Sequence, residues 1–237
     1  MITKSQILSL VPHKNLSIKV WEGEKLIPEI KLKLLKIAQD FYAYLGINAP
    51  LLDVTLTGSL ANFNYTTESD FDLHLIIDYQ AVDENEDLVE KFLSAKKTVW
   101  NNKHDIKIKG HEVELYAQNN SEPHHSTGVY SIIKDVWIEQ PQRVRGVNNV
   151  EPAKKKAKHL MREINIILKS QNRMPRIEKM KEKIRNMRQA GLERAGEYSA
   201  ENLAFKLLRR TSYIKKLYDA YNSDYDAYMS LNESLIK

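Results

Sequence analysis

Two stretches of this chain carry residue types that together could hold a phosphate and a divalent cation. The first is Thr57-Gly58-Ser59. With no side chain, Gly58 lets the backbone approach an anion closely, and Ser59 adds a hydroxyl donor. The second comes ten residues later as Asp70-Phe71-Asp72-Leu73. On a strand, Asp70 and Asp72 leave the same face about 6–7 Å apart, while Phe71 and Leu73 point the other way into apolar packing. Carboxylates on a rigid strand suit Mg²⁺, which takes few protein oxygens and leaves its other octahedral positions to water and phosphates.

A third carboxylate is offered by Val113-Glu114-Leu115, whose apolar neighbours point inward; Glu112 shares the face of Glu114 and competes for the role. Three such acids can hold two metal ions about 3.5–4 Å apart. One ion would lower the pKa of an attacking hydroxyl. The other would neutralise charge on a triphosphate and its leaving pyrophosphate. The expected cofactor is two Mg²⁺ ions, with Mn²⁺ as a substitute.

The elements that must position these residues follow from periodicity. Residues 16–21 alternate weakly and predict an edge strand. Pro28 opens a helix whose apolar face carries Ile30, Leu34, Leu35, Phe41 and Leu45, and Gly46 ends it. Val54 and Leu56 mark a strand stopping at Gly58, followed by a strand over 70–77 and a helix over about 85–101. Residues 105–117 read as two strands turning at Gly110, and apolar pairs at 129–133 and 136–138 add more. Beyond Pro141 the periodicity becomes helical: 151–169, then Ile177, Met180, Ile184 and Met187, then a helix N-capped by Ser199 with Leu203, Leu207, Leu208, Ile214 and Leu217. A last segment with Tyr221, Tyr225 and Tyr228 either continues that helix or breaks from it at Asn222-Ser223.

Composition narrows the function further. The 237 residues include no Cys, which excludes disulfides, thiol catalysis, zinc knuckles and iron–sulfur clusters. No apolar run approaches the length of a membrane helix and the N-terminus opens no signal segment, so a cytoplasmic protein without a membrane partner is expected. The net charge of +5 is unevenly divided, with residues 151–237 carrying 20 Lys+Arg against 11 Asp+Glu. An acidic half followed by a basic half suggests carboxylate chemistry beside a surface that attracts phosphates. Lys154, Lys155, Lys156, Lys158, Arg162, Lys179, Lys181, Lys183, Arg185 and Arg188 read either as a nucleic-acid track or as a solvated helical face. Tyr218, Tyr221, Tyr225 and Tyr228 follow helical spacing and suit a packing stripe or subunit contact better than base stacking. His74 shares a strand face with Asp70 and Asp72, as a second-layer partner of a metal or as a hydrogen-bonded structural histidine.

Gly58-Ser59, Asp70-x-Asp72 and the later apolar-flanked acid together resemble the nucleotidyltransferase superfamily typified by DNA polymerase beta, over about residues 28–117. More narrowly, Gly58–Tyr65, Ser69–His74, Gly110–Tyr116 and Glu122–Ser131 are similar to a family of predicted nucleotidyltransferases common in tailed-phage genomes. That likeness extends into Glu201–Arg210 and so spans most of the chain. It implies an α+β fold, a nucleotidyltransferase-type mixed sheet with flanking helices, with a catalytic domain over 1–140 and a basic helical domain over 151–237. It implies that Asp70 and Asp72 bind both metals, that Glu114 helps hold the catalytic one, and that Gly58 and Ser59 grip the triphosphate. The family more often has Asp at the third position. Arg209 and Arg210 are the residues that would reach the triphosphate or acceptor, and His111, His124 and His125 are further candidates.

The implied reaction transfers a nucleoside monophosphate from ATP or another nucleoside triphosphate to an acceptor hydroxyl. The basic half favours an RNA end as acceptor; a protein hydroxyl, a small molecule or second nucleotide, and a non-catalytic nucleic-acid-binding module are the alternatives. Neither the base selected nor the oligomeric state is written in the sequence.

Overall fold

The computed structural model describes residues 2–124, 126–143 and 149–230. The chain divides into two compact units, Pro12–Val144 and Met1–Val11 with Arg145–Lys237. A short helix α1 (Lys4–Leu8) precedes the first unit in sequence but packs with the second.

The first unit runs β1 (Trp21–Glu22), β2 (Lys25–Leu26), α2 (Pro28–Leu45), β3 (Leu51–Thr57), β4 (Phe71–Ile77), α3 (Glu86–Lys103), β5 (Lys107–Ile108), β6 (His111–Asn119), β7 (Val129–Ser131) and β8 (Val136–Glu139). Strands β5-β6-β4-β3-β7-β8 form one sheet, and β4 and β6 are its parallel pair, joined by the crossover through α3. Alternation fixes the faces. Val54, Leu56, Phe71, Leu73, Leu75, Ile77 and Leu115 form one core with Ile30, Leu34, Phe41 and Leu45 of α2 and Val89 and Leu93 of α3. Each large side chain so buried contributes roughly 1.5–3 kcal/mol, which holds the strands in register.

The hairpin expected at Gly110 is present: Lys109 and Gly110 both have positive φ, 52° and 88°, as a two-residue primed turn requires. Past that hairpin the outer edge of β6 lacks a strand partner, and Asn101 of α3 serves instead. Its amide nitrogen donates to the Leu115 carbonyl and its oxygen accepts from the Leu115 N–H, both at 3.1 Å. The edge strand expected over 16–21 is absent; residues 18–20 form a turn, and the extended backbone is limited to Trp21–Glu22, paired with Lys25–Leu26. Trp21 explains the difference. Its indole donates to the Leu60 carbonyl at 2.7 Å and its ring stacks on Trp137, so the segment is a plug on the core rather than an edge.

The second unit contains α4 (Val150–Leu168), α5 (Met174–Ala195), α6 (Ala200–Arg210) and α7 (Tyr213–Met229). Its core gathers Ala153, Leu160, Ile164, Ile177, Ile184, Leu203, Leu207, Leu208 and Leu217, together with Leu10 from the N-terminal segment. Ser199 caps α6 as expected, accepting from the Asn202 N–H at 3.2 Å. The break between α6 and α7 falls at Thr211–Ser212, so α7 runs unbroken through Asn222–Ser223 and takes in Ile214 and Leu217. Here the Thr211 hydroxyl turns back to the Leu207 carbonyl at 2.7 Å and Ser212 adopts φ 60°, a local side-chain competition with the helix ladder. At 5 residues α1 is too short to stand alone, and it is tied down by Gln6 donating to the Arg210 carbonyl and Arg210 donating to the Ser9 carbonyl. Among the described residues no helix is long and apolar enough to cross a membrane.

Candidate active site

The register of β4 and β6 sets Asp72 directly beside Glu114 and His74 beside Tyr116. On the other flank β3 sets Thr57 beside Asp72 and Thr55 beside His74. These residues share the sheet face opposite the one covered by α2 and α3, and Asp72, His74, Glu114 and Tyr116 are all half-buried. Neighbouring strands lie about 4.8 Å apart, so the two carboxylates are lateral neighbours. Asp70 stands just before β4, also half-buried. Glu112, the competing third acid, is exposed and faces Lys107, whose Nζ is 3.6 Å away.

Tyr116 offsets part of the negative charge. Its hydroxyl donates to Glu114 Oε2 at 2.5 Å. Burial pushes its phenol well above the ordinary tyrosine range; the bond to Glu114 and the charges of Asp72, Glu114 and Asp70 push it further. The phenol therefore stays a neutral donor.

His74 supports that phenol. Its ring stacks on Tyr116 at 4.7 Å between centroids, and its Nδ1 lies 2.8 Å from Gln118 Oε1. Burial lowers its pKa to about 4 against the opposing Gln118 bond, with His124 and Lys97 adding to the lowering, so the ring is neutral. The structure thus gives His74 the hydrogen-bonded supporting role. Lys97 Nζ sits 4.7 Å from the Tyr116 ring centroid. His111 is buried, with Nδ1 2.6 Å from the Ser69 carbonyl, and pins the backbone just before Asp70. His124 is near enough to His74 to influence it, and His125 lies outside the described residues.

Gly58 follows β3 with φ 73°, and a Cβ built on it would overlap Asp72 Oδ2 and lie 2.8 Å from Cγ. Only glycine fits both the conformation and the space. Its N–H donates to Ser126 Oγ at 3.3 Å, and Ser59 Oγ donates to Ser69 Oγ at 2.7 Å. Ser126 was not singled out from sequence; its signal was the Glu122–Ser131 stretch, which brings it to Gly58.

Among the described residues no three His, Asp or Glu side chains are gathered into a group able to hold an ion, so the expected three-acid clamp for two ions is not assembled. A smaller donor set fits a divalent cation. Mg²⁺ needs only one or two protein carboxylates besides water and phosphate. Asp72 and Glu114 supply hard oxygen donors side by side, and the cradle at Gly58 leaves the Asp72 carboxylate the room a Cβ would fill.

The helical unit carries a separate cationic cluster. Lys206, Arg209 and Arg210 stand at helical neighbour spacing on α6, with Arg188 on α5. The Lys206 side chain is 21% exposed, and its ammonium lies 3.8 Å from Glu197. Burial lowers its pKa to about 8, opposed by Glu197 and reinforced by Arg210, Arg209 and Arg188. Arg188 lies over the Phe205 ring at 4.5 Å and donates to Asn202 Oδ1. Lys206 escaped the sequence reading because its role depends on how α5 meets α6. Three residues of the basic run are engaged in ion pairs: Lys154 with Glu151, Lys156 with Glu201, and Lys183 with Glu163. Tyr218, Tyr225 and Tyr228 are exposed, and Tyr221 donates to Glu178 at 2.6 Å.

No family model and no curated protein matches the chain. Among solved structures, a STING-associated CdnE c-di-GMP synthase from Capnocytophaga granulosa is similar at 14% identity over 86% of this chain and 84% of that one, with a TM-score of 0.20. A likeness that slight carries no argument about this chain. The observed fold is mixed α/β, with a six-stranded mixed sheet and flanking helices.

Proposed function

We propose that this chain is a metal-dependent nucleotidyltransferase, moving a nucleoside monophosphate from a nucleoside triphosphate to an acceptor hydroxyl. The observation that carries the reading is the parallel register that sets Asp72 beside Glu114, with Gly58 pressed against Asp72. Clustered carboxylates on a sheet face are costly unless a cation or donor offsets them, and residues adapted to that cost mark a working site.

In this reading Asp72 and Glu114 would hold Mg²⁺ or Mn²⁺, with Asp70 just before the strand that carries Asp72. The ion would supply charge neutralisation on the phosphates and a lowered pKa for a hydroxyl bound to it. The chain's own residues do the rest. The Gly58 backbone and the Ser59 and Ser126 hydroxyls offer donors to phosphate oxygens once they exchange their present partners. Tyr116 and His74, both neutral, keep the face polar without adding competing charge. Arg209 and Arg210, with Lys206 and Arg188, form a phosphate-attracting surface on the helical unit. Transfer is then mainly positioning and electrostatics. For the acceptor we propose an RNA end, supported by the basic excess of residues 151–237.

The test is incubation with each α-labelled triphosphate and Mg²⁺, alongside total RNA, protein and metabolites. Label is expected in the RNA fraction and is expected to vanish with Asp72→Asn. Label in protein or in a small product would keep the reaction and change the acceptor. If none of the four triphosphates binds, the reading is wrong.

A further inference from the structure

Tyr116 does more on the carboxylate face than keep it polar, because its hydroxyl and its ring are both engaged. Its hydroxyl reaches Glu114 Oε2 at 2.5 Å, two positions along the same strand. Its ring is fixed by the stacked His74, itself held by Gln118, and by the Lys97 ammonium near the ring. A long glutamate side chain on a half-buried strand has several rotamers. A phenol immobilised in this way favours the rotamers that bring a carboxylate oxygen to the hydroxyl, as Oε2 does here.

We infer that Tyr116 is a positioning residue that orients Glu114 toward the divalent cation, occupying Oε2 and leaving Oε1 directed to the ion. The inference rests on the proposed metal role of Glu114. A carboxylate ligand is commonly held by a second hydrogen bond, and loss of that bond weakens metal affinity about 10–100-fold. A purely structural Tyr116 would contribute to sheet stability and leave cation affinity alone.

Mn²⁺ binding, followed by the loss of the free-ion paramagnetic resonance signal, separates these cases in wild type, Tyr116→Phe, Glu114→Gln and the double variant. Tyr116→Phe is expected to weaken Mn²⁺ binding about 10–100-fold. The double variant is expected to bind no more weakly than Glu114→Gln alone, because the two residues act as one unit. Binding by Tyr116→Phe within about twofold of wild type, or losses that multiply in the double variant, would overturn the inference. If wild type binds no Mn²⁺, or Glu114→Gln binds like wild type, the metal site and this inference fall together; a weak Glu114→Gln with a normal Tyr116→Phe removes the inference alone. Should Tyr116→Phe not fold, wild type with ring-labelled tyrosine decides. Mn²⁺ must then broaden one of the 12 tyrosine signals selectively, and uniform broadening counts against the inference.

Discussion

Gly58 meets Asp72 with no space between them for a side chain: a Cβ at position 58 would overlap Oδ2 of the carboxylate. The contact joins the end of β3 to the start of β4, so backbone conformation at one residue controls the aim of the other.

Gly58→Ala is therefore expected to act twice. The positive φ costs about 1–2 kcal/mol for a residue with a Cβ, and the overlap drives Asp72 out of place. Urea unfolding should show at least that loss, and Mn²⁺ affinity should fall with it. Gly46→Ala is the control, since Gly46 has φ 67° but nothing within 4 Å. It should lose the conformational cost and keep its metal affinity.

Asn101→Ala removes both hydrogen bonds at the Leu115 backbone. A loss of about 1–3 kcal/mol is expected, read by denaturant unfolding. Hydrogen exchange at the Leu115 amide should quicken in the variant while amides of β3 keep their protection.

Lys206→Met should raise stability by about 1 kcal/mol in phosphate-free buffer, because a poorly compensated buried ammonium is replaced by an apolar chain of similar length. On the proposed function, pyrophosphate is expected to raise the melting temperature of the wild type and to raise that of Lys206→Met less. A pH signature accompanies this. With a folded pKa of about 8 against the ordinary 10.5, the unfolded chain binds more protons between those values. Wild-type stability then rises with pH across that window. The advantage of Lys206→Met should shrink from pH 8 toward pH 10.5.

Glu201 behaves in the opposite sense. The bond from Lys156, aided by one from Arg194, lowers its pKa to about 2 from the usual 4.5. Its contribution is fully present above pH 4.5 and disappears as pH falls through 2. Glu201→Gln should cost about 2 kcal/mol at pH 7, allowing for the exposure of its partners, and the difference should close in acid.

The parts of the fold that were legible in sequence are those set by local chemistry. The Gly110 turn, the Ser199 cap and the alternation that turns Asp72 and Glu114 to one face each depend on a few adjacent residues. The choice of Glu114 over Glu112 needed strand register, which alternation leaves open between them. The Ser212 break escaped because it has neither glycine nor proline, only a threonine hydroxyl folding back on its own helix. Lys206 escaped because its burial arises between α5 and α6. The three-acid clamp was anticipated as an assembled group, whereas the strands deliver a lateral pair with Asp70 alongside.

The parallel pairing of β4 with β6 has one more effect. Parallel strands cannot close through a tight turn, so the chain must pass through the whole of α3 before Glu114 can come alongside Asp72. The proposed carboxylate pair therefore forms only with tertiary closure, and no local hairpin can supply it. A chain halted before His111 would hold the glycine bend and both aspartates with one edge of β4 unpaired, an edge that invites pairing with another chain.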